Sequence, residues 1–149
     1  MVDTIAVGEQ VFELSLQITS LTDFGMTLEE LNEGKPPPPA GVRLDAAVSG
    51  PCKGKVNGHM DAIDYLYVRA DGRFELHIHG VLTTDDGARI AATATGMASP
   101  NEDGTLRLLE YVSLLTAAPG YEWLNTLSIR GEGSVNPASG EIVVRGYAA

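Results

Sequence analysis

Two Asp-Gly pairs, Asp71-Gly72 and Asp86-Gly87, bracket the run RFELHIHGVLTT and constrain this chain more than any other feature. Asp-Gly between alternating apolar and polar residues marks a tight hairpin, because glycine enters the left-handed backbone of such turns without steric cost. Two hairpins in succession make IDYLYVRA, RFELHIHGVLTT and ARIAATATGM three adjacent antiparallel strands. Upstream, VFELSLQIT sets Phe12, Leu14, Leu16 and Ile18 against Glu13, Ser15, Gln17 and Thr19, the pattern of a half-buried strand. VRLDAAVSG and GKVNG read as further strands. TLRLLEYVSLLTA fits either period, and its Thr, Tyr and Val favour strand. WLNTLSIRGEGSV and EIVVRGY form a last pair around NPASG.

About eight short antiparallel strands in one small chain predict an all-β fold with a single domain over 1–149. A closed antiparallel β-barrel is expected, since closure removes exposed edges and eight strands leave room for side chains or one small ligand. The longest interruption, residues 21–40, is expected to be a flap over one mouth. Within it, Thr27 and Glu30 have capping-box spacing, Gly34 can stop a short helix, and PPPPA is a stiff connector.

The 20 acidic against 10 basic residues give a net charge of −10, which disfavours nucleic acid and anionic membrane as partners. Arg43, Lys53, Lys55 and Arg69 are scattered rather than clustered. Cys52 is alone, so neither a disulfide framework nor a Cys-rich zinc site is expected. MVDTIAVGEQ has neither the basic nor the apolar region of a targeting signal, and no apolar run is long enough to span a bilayer. A cytoplasmic location is the expectation.

Counting outward from both turns as two-residue turns places Asp64 opposite His79, on one sheet face with His77 and Glu75. Directly opposed side chains are close enough for a carboxylate to orient an imidazole and raise its pKa, which suits general acid/base work. The same count puts His79 beside Ala94 and His77 beside Gly96, leaving space for a ligand. Asp64, His79, His77 and Glu75 are therefore the expected catalytic residues, with Arg43, Tyr111 and Trp123 shaping the substrate pocket. This requires the histidine face to look into the barrel. The opposing pattern is Phe74, Leu76 and Ile78, a more apolar face that points the histidines outward, whereas on the next strand the same count sets Ile90, Ala92 and Ala94 on the histidine face and Thr93 and Thr95 on the Phe74 face. A metal site is the rival reading: His77 and His79 with Glu75 or Asp64, and His59 as a fourth ligand. No G-x-S-x-G elbow or phosphate-binding loop is present.

DGRFELHIHGVLTTDDGARI followed by APGYEWLNTLSIRGEG resembles the domain-of-unknown-function 3237 family, from FELSLQI to the final strand. The resemblance implies a barrel like that of allene oxide cyclase with a ligand-sized interior. It also implies an association with cofactor-free decarboxylation or related steps on aromatic acids. Asp64, Asp86, Gly87, Tyr121, Trp123 and Asn125 match the family pattern. His79, where an arginine is more usual, and the long flap depart from it. The expected function is a cofactor-independent lyase, decarboxylase, isomerase or cyclase acting on a small apolar or aromatic molecule, in a homo-oligomer. The alternatives are a non-catalytic binding barrel, a metal-dependent enzyme, and a structural protein with a filled core.

Overall fold

The computed structural model describes residues 5–149; residues 1–4, part of the N-terminal segment read above for a targeting signal, lie outside the described residues. Eight strands follow in order: β1 Gln10–Asp23, β2 Val42–Gly54, β3 Gly58–Val68, β4 Phe74–Thr84, β5 Arg89–Pro100, β6 Leu106–Leu115, β7 Ile129–Asn136 and β8 Glu141–Ala148. Each pairs antiparallel with the next, and β8 returns to β1, so the expected all-β closed barrel is the observed fold. Helix α1, Leu28–Asn32, lies between β1 and β2. Its capping box forms as the spacing predicts, with the Thr27 hydroxyl accepting from the Glu30 N–H and the Glu30 carboxylate accepting from the Thr27 N–H, each at 3.1 Å. Residues Trp123–Thr126, expected to open the penultimate strand, belong instead to a 3₁₀ helix, Glu122–Thr126. Among the described residues no helix is long and apolar enough to cross a membrane.

The two Asp-Gly hairpins are one residue longer than a two-residue turn. The Arg69 N–H donates to the Arg73 carbonyl at 2.8 Å, which leaves Ala70, Asp71 and Gly72 in the loop. The Thr84 N–H likewise donates to the Ala88 carbonyl at 2.8 Å around Asp85, Asp86 and Gly87. Gly72 and Gly87 have φ of 88° and 91°, as in three-residue loops that end on a left-handed residue. The extra residue shifts every pairing by one. Asp64 now faces Ile78, and His79 sits between Ile63 and Thr93. Because successive strand side chains alternate faces, a one-residue shift exchanges the whole set. The expected Asp64–His79 pair does not form, and the two side chains lie on opposite faces of the barrel wall. The same shift reconciles the patterns of β4 and β5: Ile78 pairs with Ala94 and Leu82 with Ile90, all on the apolar inner face.

One end of the barrel is packed solid. Leu124 from the 3₁₀ helix is fully buried there, and Phe12 fills the space left by Gly146, where a Cβ would come within 2.5 Å of the ring. Asn125 fastens this end by accepting from the Thr116 N–H and donating to the Thr116 carbonyl, both at 2.8 Å. The Tyr121 hydroxyl donates to Asp86 at 2.9 Å. At the other end Leu28 of α1 and the preceding Met26 are buried over the mouth. Gly87→Ala should destabilise the barrel by about 1–2 kcal/mol through left-handed strain, and Gly87→Asn by less; urea unfolding of the two variants checks the order.

Candidate functional site

Between the packed end and α1 the barrel encloses a cavity of about 90 Å³, walled mainly by aliphatic side chains and covered by Leu21 and Leu28. Two charged residues enter this wall, Asp64 and Glu110, and both are acidic.

Asp64 sits on the inner face of β3 between Ala62 and Leu66 and is 8% exposed. Its Oδ1 accepts the His77 backbone N–H at 2.9 Å, where the β3–β4 ladder lapses between the Asp64–Ile78 and Tyr67–Glu75 pairs. Burial pushes its pKa up to about 6, partly opposed by the His77 hydrogen bond. Glu110 sits at the middle of β6 and is 3% exposed. Its cross-strand neighbours are Gly96 on β5 and Gly131 on β7. A Cβ at Gly96 would lie 2.9 Å from the Glu110 Cβ, and one at Gly131 would lie 2.8 Å from its Cγ. The two glycines thus make the room that the glutamate occupies. Its Oε2 is buried without a hydrogen-bond partner. Burial, and after it the negative charge of Asp64, pushes Glu110 up to about 7. The charge of Asp64 thus bears on the titration of Glu110.

The other expected site residues lie elsewhere. His77 and His79 are exposed on the outer face, where the His79 ring meets Tyr65 edge-on with centroids 6.1 Å apart. Glu75, also on the outer face, stands 3.9 Å from Arg69. Arg43 is exposed, bound to Asp45 at 2.8 Å, with its guanidinium over the rings of Phe24 and Tyr65. Tyr111 is 60% exposed. Trp123 is half-buried against the core and does not reach the cavity. His59 is on the outside with Ser49 at 2.8 Å and Asp61 at 3.6 Å. Among the described residues, no three His, Cys, Asp or Glu side chains converge as metal ligands.

Of the expected catalytic residues, only Asp64 reaches the cavity, and its companion there, Glu110, was not among them. Its signal was present: along β6 the alternation Leu106, Leu108, Glu110, Val112, Leu114 puts an acid on the apolar face. An unpaired carboxyl at such a position is costly, which makes Glu110 a candidate site residue.

A family model described as a protein of unknown function (DUF3237) matches residues 11–149. The chain belongs to this family. Solved structures with the same fold include a β-barrel-like protein from Acinetobacter baumannii, 19% identical, covering 99% of this chain and 98% of that one with a TM-score of 0.78. A protein of unknown function from Clostridium acetobutylicum is 23% identical over 95% of this chain and 97% of its own, with a TM-score of 0.76. An enzyme from Penicillium herquei is 16% identical over 99% of both chains, with a TM-score of 0.60. At these identities the likeness is one of fold. No curated protein matches the chain. In this DUF3237 barrel, the family-like residues Asp86, Tyr121 and Asn125 hold the packed end together, and Asp64 alone among the six reaches the cavity.

The raised pKa values have a signed consequence for stability. Below about pH 3 both acids are protonated whether folded or unfolded, so neither contributes to pH dependence there. As pH rises from about 4 toward their folded values of about 6 and 7, the unfolded chain releases its protons first and the fold loses stability, the loss being complete once pH has passed the folded values. Glu110→Gln removes that loss at one site. Its stability relative to wild type should rise between pH 4.5 and 8, by on the order of 3 kcal/mol, in urea denaturation series. A constant difference across that range would contradict the placement of Glu110.

Proposed function

We propose that the lumen is an active site in which Asp64 and Glu110 move protons on a small uncharged apolar or aromatic molecule, in an isomerase- or cyclase-type step. The supporting observation is the pair itself: two carboxyls in an apolar cavity, with pKa values of about 6 and 7. At neutral pH, Asp64 is then mostly a carboxylate and serves as base, while Glu110 retains a large protonated fraction and serves as acid. Separating the pKa values of two acids by environment lets one cavity hold both roles near pH 7. The apolar wall strengthens both roles, since charge developing on a substrate meets fixed groups rather than water.

The decarboxylation that the family resemblance implies fits less well. A substrate carboxylate would enter beside two acids, and among the described residues no Lys, Arg or His lines the cavity to receive it. Size adds a second limit. The 90 Å³ space is below the roughly 150 Å³ that accommodates benzene, so an aromatic substrate requires Leu21 and Leu28 to move outward. The neighbour from Penicillium herquei, itself described as an enzyme, is compatible with catalysis in such a barrel. A binding barrel without turnover is the alternative, favoured by how little of the cavity wall is polar.

The conversion of 3-cyclopentenone to 2-cyclopentenone tests the proposal, since it needs one proton taken beside the carbonyl and one returned at the far end of the double bond. Ultraviolet absorbance follows the conjugated product. The protein should accelerate the reaction over buffer, and Asp64→Asn should lower kcat by about 100-fold or more. Absence of acceleration by the wild-type protein, or full activity in Asp64→Asn, would contradict the proposal.

A further inference from the structure

The two acids of the lumen differ in what they still lack. Asp64 already has the His77 N–H on its Oδ1, whereas Oε2 of Glu110 is buried with no partner in a side chain that is 3% exposed. Glu110 itself fills the room left by Gly96 and Gly131 on the adjoining strands, and its side chain joins Asp64 in the cavity wall. A buried polar atom with no partner in the protein, on a side chain that lines a cavity, calls for a partner in a ligand.

We infer that the lumen selects uncharged molecules that present a single hydrogen-bond acceptor oxygen, of the small-ketone type, to Glu110 Oε2. The inference rests on the reading of the lumen as the ligand site, but not on turnover there. Each other ligand class leaves something unpaired. An anion would be buried beside two acids with no cation in the cavity wall. An ammonium brings three N–H donors to a mainly aliphatic wall whose charged acceptors are the two carboxyls alone, so at least one N–H lacks a charged partner. A hydrocarbon leaves Oε2 as it is. A ketone oxygen accepts one O–H from the protonated Glu110 and has no N–H of its own to satisfy, and its apolar body meets the aliphatic wall.

Four five-membered-ring probes of similar size separate these classes: cyclopentanone, methylenecyclopentane, cyclopentanecarboxylate and cyclopentylammonium. Each is titrated into the full-length protein at pH 6, with binding followed by amide chemical shifts. Cyclopentanone should bind about tenfold more tightly than methylenecyclopentane, and the two ions should not saturate. Glu110→Gln keeps an N–H donor at the site and should keep the ketone preference. Glu110→Leu, checked for folding by circular dichroism, should lose that preference while still binding the hydrocarbon. Tightest binding of the ammonium, saturation by the carboxylate, failure of the ketone to bind, or an unchanged preference in Glu110→Leu would each overturn the inference. Ketone binding without isomerisation of 3-cyclopentenone would sink the catalytic proposal and leave this one standing.

Discussion

The left-handed backbone at Gly72 and Gly87 decides which half of this barrel's side chains faces inward. Each glycine ends a three-residue loop, and each loop fixes the register of the strands on either side. With β4 held by a loop at both ends, Phe74, Leu76 and Ile78 have no freedom to trade places with Glu75, His77 and His79. The inner face of β3 follows from β4, and with it the burial of Asp64. One residue fewer in either loop would turn a carboxylate out to water and a histidine into the core.

Once the register is set, the lumen contains a conflict between local residue choice and burial. Asp64 and Glu110 occupy positions where the strand pattern calls for aliphatic residues, and neither has a basic partner. Such positions lower stability at neutral pH, and a chain that retains them supplies compensation nearby. For Asp64 the compensation is the His77 N–H, taken from the sheet ladder. For Glu110 it is room, made by Gly96 and Gly131. Neither device brings a basic partner to the acids, which leaves two ionisable carboxyls in the wall of an apolar cavity.

The barrel was legible in the sequence because alternation and glycine punctuation repeat along the whole chain and agree with one another. The capping box of α1 was legible for the same reason, since it depends on two residues three apart. The site was only half legible. Asp-Gly occurs in both two- and three-residue loops, and the sequence does not distinguish them, so a count from the turns could miss by one. That single residue made the Asp64–His79 pair seem to exist. The conflict between the Phe74 face of β4 and the Ile90 face of β5 was the trace of the miscount, because no barrel places both patterns on opposite sides. Glu110 is less legible, because an acid in the middle of LRLLEYV has the look of ordinary surface whereas His-x-His has the look of a chemical motif. Its position on the apolar side of a strand was the sign.

Carbon-13 NMR titration of the side-chain carboxyls of Asp64 and Glu110 reads the state of the pair directly. The account predicts two linked transitions well above the ordinary carboxylate range, near pH 6 for Asp64 and near pH 7 for Glu110. Titration of both groups at their ordinary values near pH 4 would contradict it, because carboxyls behaving in that way would be in water and not in the lumen of the barrel.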